Sequence, residues 1–358
     1  MTASKPDRIR TDVLSTRLWD AVREGDEYAA ADVLLPAVDA GLNAESALLD
    51  VIAPVQEKVG AEWAANRISV AQEHTATAIN DRVIAALAYR ASARIRPRRG
   101  RVTVACAEGE WHALPARLLA EILRLRGWQV DFLGAHVPVA NLIDHLYRRR
   151  PDVLALSSSI PTRLPAAHHA ITACQAAGVP VMVGGAAFGP GGRYATRLRA
   201  DGWAPEGRTA ALRLGEIVAR AHVPPAAREP LDDLPHLADQ EYTLVTRNVN
   251  RLVAAVLATL PDRFPDMADY SDRQHRHTAE ELAYVTECLG AALYLDDSDL
   301  FPRLVAWTAD ILTARGVPAH SLGPALDLLT EQLKDFPRAV ALLRDGRAAL
   351  RGVPSARP

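Results

Sequence analysis

The sequence is poor in cysteine and in aromatic residues, and its charge is nearly balanced. Three cysteines, Cys106, Cys174 and Cys288, are scattered over 358 residues without a CxxC motif, which excludes a paired-cysteine metal or redox site and indicates a reducing compartment. The net charge of −2 provides no basic footprint for nucleic acid. No signal-peptide pattern and no apolar run of the roughly 18 residues needed for a membrane helix is found. We expect a cytoplasmic protein that contacts neither a membrane nor, directly, nucleic acid.

The remaining composition is that of an ordinary globular chain. Hydrophobic residues make up 49% of the sequence and charged residues 23%, which is enough apolar material for a sizeable core. A chain of 358 residues predicts two or three domains.

Residues 10–95 show only helical periodicity. Asn43 is a candidate N-cap, and Ser69 with Gln72 forms a capping box at the start of another helix. Pro54 lies inside an apolar stripe, where it predicts a kink. Four amphipathic helices joined by short loops predict a four-helix bundle.

Residues 100–222 alternate short apolar runs with helical stretches, which is typical of a doubly wound parallel sheet of the Rossmann-like or flavodoxin-like kind. The predicted strands are Val102–Cys106, Val130–Leu133, Val153–Leu156 and Val181–Val183. The predicted helices are Ala116–Arg126, Ala140–Arg149, Ala166–Ala177 and Tyr194–Ala200. Ligands of such sheets bind at the carboxyl ends of the strands, so the loops there are the candidate site.

A proline-rich segment, Val223–Pro235, predicts a linker, and residues 236–352 are again helical. The sequence therefore predicts a multidomain α and α/β protein with an all-α C-terminal domain.

The loop after the first strand places a carboxylate two residues before a histidine, at Glu110 and His112. Such a carboxylate can accept a hydrogen bond from one ring nitrogen and leave the other nitrogen for a metal. By itself, the same fragment also describes a surface histidine on a loop.

The fragment Glu110-x-His112-x-x-Pro115 resembles the DxHxxG motif of cobalamin-binding domains. Two further motifs of those domains have counterparts: SxL in Ser157 to Ser159, and GG in Gly184-Gly185. The resemblance implies that His112 is the lower axial ligand of cobalt. It also implies that the nucleotide tail of cobalamin enters between the loops of Ser157, Ser159, Gly184 and Gly185. The departures are Glu110 for aspartate, Pro115 for glycine and Ser159 for leucine.

A second constellation lies in the helical segment, where Trp63 is followed after nine residues by Glu73-His74. In isolation, this pattern is typical of a tryptophan in the core and of a solvated first turn of a helix. Their spacing resembles the cap of adenosylcobalamin-binding photoreceptors, including light-dependent repressors of the MerR type. The resemblance covers residues 10–222.

That resemblance implies that Trp63, Glu73 and His74 enclose the adenosyl group over the upper face of the corrin. It further implies that light breaks the cobalt–carbon bond and changes the assembly of a homo-oligomer. No helix-turn-helix precedes the bundle, so DNA binding is not carried over. Ala64 stands where some of these repressors have a histidine that captures cobalt after photolysis.

A polar cluster, Tyr270 to His277, lies at the start of one helix of the C-terminal segment. By itself, such a cluster is typical of a solvated helix start. A cobalamin photoreceptor followed by about 115 helical residues resembles the photocobilins, which implies a globin-like domain that holds biliverdin. Cations for the propionates and aromatic rings for packing are then expected from Arg273, His275, His277, Tyr294 and Trp307. Cys288, in an apolar stripe, is expected in the core.

The sequence thus favours a light sensor that binds adenosylcobalamin and biliverdin and is not an enzyme. The main alternative is a corrinoid protein that carries a methyl group between methyltransferases. A third is a cobalamin scaffold without photochemistry, whose C-terminal domain binds a partner.

Overall fold

The computed structural model describes residues 10–91, 95–221, 234–317 and 319–350. The chain forms two compact units, one reaching residue 226 and the other beginning at residue 227. The predicted linker falls mostly outside the described residues.

The first unit begins with helices. Their bounds are Thr11–Glu24 (α1), Glu27–Asp39 (α2), Ala44–Ser46 (α3), Ala53–Ala64 (α4) and Val70–Ala91 (α5). A π-helical segment, Ala47–Ile52, joins α3 to α4. The apolar stripes predicted from the sequence face inward: Leu18, Ile52 and Val59 are fully buried. These helices form the predicted helical cap.

Three details of the cap follow from its sequence. Pro54 lies in the first turn of α4 directly after the π-helical segment, where its missing N–H interrupts the regular hydrogen-bond ladder. Asn43 caps α3 by accepting from the Glu45 N–H. Ser69 and Gln72 form the predicted capping box, with both reciprocal hydrogen bonds present.

The cap is followed by a parallel sheet of five strands. They are Arg101–Cys106 (β1), Gln129–Gly134 (β2), Val153–Ser157 (β3), Val181–Gly184 (β4) and Gly202–Ala204 (β5). Their spatial order is β2-β1-β3-β4-β5, the flavodoxin-like order. The four predicted strands are confirmed. β5 was not predicted, because its three residues, Gly-Trp-Ala, contain no apolar run.

Helices cover both faces of this sheet: Leu114–Leu125 (α6), Val139–Arg149 (α7), Leu164–Ala176 (α8), Arg193–Arg197 (α9) and Gly207–Ala221 (α10). α9 ends three residues earlier than predicted, since Arg199 adopts a positive φ of 53° and cannot continue the helix. One apolar core runs from the cap helices through α6 to β1. Ion pairs from Arg126 to Glu45 and from Arg208 to Asp50, at 2.8 and 2.7 Å, add to the attachment of the cap.

The second unit is all-α. In residues 234–317 and 319–350 its helices are Glu241–Arg247 (α11), Val249–Arg263 (α12), Asp272–Leu295 (α13), Leu300–Ala314 (α14), Leu322–Gln332 (α15) and Pro337–Ala349 (α16). Cys288 lies in its core, as predicted. None of the helices in the described parts of the chain is long and apolar enough to span a bilayer.

Candidate functional site

The strand order places the loops that follow β1 and β3 side by side at the carboxyl edge of the sheet. The connections from β1 and β3 leave in opposite directions there, which is the point where open α/β sheets bind ligands. The first loop carries Glu110 and His112, and the second begins at Ser158. The motif residues separated by almost 50 positions in the sequence are therefore neighbours.

Glu110 joins the two loops. Its side chain is completely buried, and Oε1 accepts hydrogen bonds from the His112 N–H at 2.9 Å and from His112 Nδ1 at 2.6 Å. Oε2 accepts from the N–H groups of Ser159 and Ile160, at 2.6 and 3.1 Å, and from Ser158 Oγ at 3.3 Å. Because the carboxylate can only accept, Nδ1 carries the proton in the neutral ring of His112, and the lone pair is then on Nε2.

Glu110 and His112 each shift the pKa of the other toward the charged form. Burial by itself raises the pKa of Glu110, but the hydrogen bonds from His112 and Ser159 outweigh it and lower that pKa to about 2. The hydrogen bond to Glu110 raises the pKa of His112, against the opposing effect of burial, and the charge of Glu73 raises it further. The His112 side chain is 57% exposed, so Nε2 is open to a ligand from outside the fold.

Cys106, at the end of β1, does not compete for a metal ion. Burial, together with the charge of Glu110, raises the pKa of this thiol to about 12. In the metal-free protein this thiol is therefore protonated at neutral pH, and its side chain is fully buried.

The third loop at the carboxyl edge follows β4. It approaches the loop after β3 through backbone atoms alone. The Ser158 N–H donates to the Gly184 oxygen at 3.0 Å. Gly185 has φ +100°, and a Cβ there would lie 2.2 Å from the Ser158 oxygen. A Cβ on Gly184 would meet only the Ala204 oxygen, at an ordinary 3.5 Å. The fold thus requires glycine at 185 but not at 184.

The upper-face residues lie at the adjoining ends of α4 and α5. Trp63 is half-buried in the last turn of α4, and Glu73 lies in the first turn of α5. Glu73 contacts His74 Nδ1 at 2.5 Å through Oε2 and accepts from Thr77 Oγ1 at 3.0 Å through Oε1. The cap end that carries Trp63 shares one apolar core with α6, the helix that directly follows the His112 loop.

Sequence reasoning missed three residues of this site. Ser158 is buried against Glu110, although the assignment had been given to its neighbours Ser157 and Ser159. His136, after β2, and Trp111 stack against each other beside His112. An exposed tryptophan between Glu110 and His112 was the available signal.

The residues predicted to hold biliverdin are not brought together. Arg273, His275 and His277 share the exposed first turns of α13, where Arg273 Nε donates to His277 Nε2 at 3.4 Å. Tyr294 is near the other end of the same helix, roughly 30 Å away at 1.5 Å per residue. It packs on Tyr242, with ring centroids 4.8 Å apart.

Trp307 lies on α14, with 43% of its surface exposed, and its ring is 6.4 Å from that of Tyr284. The five residues therefore do not form one cluster, and their contact with biliverdin stays a prediction. Tyr294 is separated from Arg273, His275 and His277 by most of the length of α13, whereas Trp307 lies beside the middle of that helix, next to Tyr284.

A small cavity of about 30 Å³ lies beside the first turns of α13. Tyr270 and Glu281 line it, together with apolar side chains. Burial raises the pKa of Glu281, whereas the charges of His277 and Arg315 lower it. The cavity is far smaller than the roughly 300–1,000 Å³ of typical small-molecule pockets, so a tetrapyrrole would have to open the helices around it.

Comparison with protein families identifies both parts of the first unit. Residues 14–88 and residues 100–214 each match a family model described as a B12 binding domain. The cap and the sheet are thus B12 binding domains, and the candidate site lies in the second of them.

Two curated relatives from Myxococcus xanthus match this same region. The chain is 31% identical to the HTH-type transcriptional repressor CarA over 198 residues, which are 51% of this chain and 64% of the relative. It is 32% identical to the HTH-type transcriptional repressor CarH over 190 residues, 52% of this chain and 62% of the relative. The chain thus spans somewhat less than two thirds of the length of these relatives.

The fold has a counterpart among solved structures. The monomethylamine corrinoid protein of Methanosarcina barkeri superposes with a TM-score of 0.52 at 19% sequence identity. The match covers 58% of this chain and all of that protein. It confirms the helical cap followed by the parallel sheet.

The residues of the site fit a cobalamin. Within the described stretches of the chain, no three His, Cys, Asp or Glu side chains form a group that could hold a metal ion. Cobalt carried in a corrin needs only one protein ligand, because the ring supplies four nitrogens. His112 offers one nitrogen of defined tautomer on a side chain that is 57% exposed, and a Cβ at Gly184 would meet only the Ala204 oxygen.

Proposed function

We propose that this chain is a light sensor that binds adenosylcobalamin, with His112 as the lower cobalt ligand. Adenosylcobalamin, when bound, supplies a cobalt–carbon bond that light breaks. The observation that carries the proposal is a shared core: Trp63 of the cap packs against the same apolar core as Ala113 and Leu114, the two residues that follow His112. The upper-face residues and the lower ligand thus belong to one site.

Each side chain has a separate part in this proposal. Glu110 holds the proton on His112 Nδ1 and so directs Nε2 to cobalt. Trp63 packs against the adenosyl group, and Glu73 and His74 close the site around it. The output is a change of quaternary structure, and no reaction is catalysed.

The proposal is tested on the full chain reconstituted with adenosylcobalamin in darkness. We expect the absorption spectrum of a histidine-ligated corrin, and a change in both spectrum and molar mass after green light. His112→Ala should lose cobalamin affinity or give a water-ligated spectrum, because Nε2 of His112 is the proposed ligand. An unchanged spectrum in that variant would refute the ligand assignment.

A substitution among the upper-face residues distinguishes a light sensor from a protein that carries a methyl group. Trp63→Ala should weaken binding of adenosylcobalamin by about tenfold more than binding of methylcobalamin or hydroxocobalamin, since only the adenosyl group loses a ring contact of roughly 1.4 kcal/mol. Equal losses for all three ligands would favour the corrinoid methyl carrier. Normal binding without any response to light would favour a cobalamin scaffold.

We further propose that the second unit binds biliverdin. Support comes from the cations at the start of α13 and from the adjacent cavity that contains Glu281 and Tyr270. Arg273, His275 and His277 would neutralise the two propionates, and Trp307 is exposed for ring packing.

The absence of direct contact with nucleic acid stays a prediction, and two relatives are named as transcriptional repressors. A cytoplasmic location stays a prediction as well.

A further inference from the structure

The loop of Glu110 and His112 is held from two sides. Glu110 anchors it from inside the fold. From the outside, His136 contacts it twice: its Nδ1 accepts from the Gly109 N–H at 2.9 Å, and its own N–H donates to the Glu110 oxygen at 2.9 Å. The two hydrogen bonds fix the backbone on either side of the peptide that joins Gly109 to Glu110.

His136 makes these contacts from an unusual backbone conformation. Its φ is +48°, a left-handed value that few residues other than glycine adopt and in which asparagine and histidine are enriched. In this conformation the ring turns back toward the first loop, although His136 follows β2. The energetic cost of such a backbone conformation in an exposed loop is offset by the contacts that the conformation permits.

The second contact partner is Trp111. Its indole and the imidazole of His136 are parallel within 4°, with centroids 4.9 Å apart. Trp111 is 71% exposed, so burial in the core does not hold it in place. The stack fixes the direction of the residue that stands directly between Glu110 and His112.

We propose that His136 is a positioning residue for the cobalt ligand. This inferred role of His136 rests on the proposed function, because it takes His112 as the lower ligand. His136 restricts the loop that carries His112, so that Nε2 is presented in one direction before cobalamin arrives. Pre-organisation of this kind raises affinity by removing the cost of ordering the loop upon binding.

The two contacts of the His136 ring can be separated by substitution in the full chain. His136→Phe keeps a ring against Trp111 but removes the acceptor for Gly109. His136→Asn keeps an acceptor and tolerates the left-handed backbone, but removes the stack. His136→Ala removes both. Tyr147→Ala is the matched control, since Tyr147 is an equally exposed aromatic residue on α7.

The first readout needs no ligand. Amide hydrogen exchange of Gly109 should be faster in His136→Ala and His136→Phe than in the wild type, whereas His136→Asn should remain close to the wild type. Tyr147→Ala should leave this exchange unchanged. Urea unfolding of each variant separates loosening of the loop from loss of the fold.

The second readout uses hydroxocobalamin at one fixed pH. We expect about three- to tenfold weaker binding and a smaller histidine-ligated fraction in the spectrum of His136→Ala, with partial recovery in His136→Asn and His136→Phe. A wild-type Kd and a wild-type spectrum in all three variants would overturn the inference. If His112→Ala also kept the wild-type spectrum, the proposed function itself would fail. If only His112→Ala lost it, only the role of His136 would be wrong.

Discussion

Every hydrogen-bond partner of the Glu110 carboxylate is a donor. Three backbone N–H groups, one ring nitrogen and one hydroxyl converge on its two oxygens, and the side chain has no contact with solvent. A carboxylate satisfies this arrangement, whereas an amide of the same size does not. The charge of residue 110 is therefore as important as its shape.

Glu110→Gln tests this point. If the amide NH₂ faces Ser159 and Ile160, two donors oppose it, and if it faces His112, it drives the ring proton to Nε2 and blocks cobalt ligation. We expect a loss of unfolding free energy of about 2–3 kcal/mol and roughly 10- to 100-fold weaker cobalamin binding. Glu110→Asp keeps the charge and should retain the histidine-ligated spectrum. Identical behaviour of the two variants would contradict this account.

The lowered pKa of Glu110 also predicts a pH dependence. A carboxyl group whose pKa falls to about 2 on folding stabilises the native state above its ordinary pKa, and this stabilisation is lost as the pH falls toward 2. The difference in unfolding free energy between the wild type and Glu110→Gln should therefore shrink below about pH 4. Urea unfolding of the ligand-free protein at a series of pH values measures it. A constant difference would refute the assigned pKa.

At the scale of elements, the three loops at the carboxyl edge of the sheet are held together in two different ways. The loops after β1 and β3 are joined by Glu110. The loop after β4 is joined to β3 by backbone alone, and Gly185 permits that approach. The fold does not require glycine at position 184, so Gly184 is the member of the pair for which we predict a contact with the ligand.

The glycine pair can therefore be divided by experiment. Gly185→Ala should destabilise the ligand-free protein by more than about 2 kcal/mol, because the new Cβ meets backbone atoms at a left-handed φ. Gly184→Ala should leave that stability nearly unchanged but weaken cobalamin binding. Gly178→Ala is the control, since Gly178 has φ +81° and an added Cβ there would meet no atom within 4 Å, so the left-handed φ is tested without the clash. Wild-type cobalamin affinity in Gly184→Ala would remove Gly184 from the site.

At the scale of the whole molecule, the second unit is stabilised by contacts unrelated to a chromophore. Glu241 is buried and accepts from the N–H groups of Arg338 and Ala339, at 3.1 and 2.8 Å, at the start of α16. The guanidinium of Arg338 donates to the Leu293 oxygen at 2.6 Å and pairs with Asp239. Tyr294 lies next to this network, so its position is explained by folding.

Biliverdin binding is tested on the full chain. Added biliverdin should give a far-red absorption band, and neutralising Arg273, His275 and His277 together to glutamine should reduce it, since buried propionates without cations carry a large desolvation cost. The cobalamin spectrum should survive this triple change. Arg251→Gln with Arg344→Gln, at two exposed cations of the same unit, is the control. If saturating pigment gives no band, the second unit does not hold a bilin.

The sequence by itself determined the elements and the chemistry within each loop. Periods of two and 3.6 in apolar residues predicted four of the five strands and the helical cap, because burial acts on each element in the same way wherever it packs. The proximity of Glu110 and His112 needed no tertiary knowledge, since two positions within one loop cannot separate.

The tertiary structure decided which loops meet. Ser158 and Ile160 reach Glu110 across 48 and 50 positions only because β3 pairs with β1, and His136 reaches Gly109 only because β2 pairs on the other side. Tyr294 lies far from Arg273, His275 and His277 because they stand at opposite ends of a helix of 24 residues, although the sequence places them in one segment. Strand order and helix direction are set by packing of the whole core, so these contacts could not be inferred from local pattern.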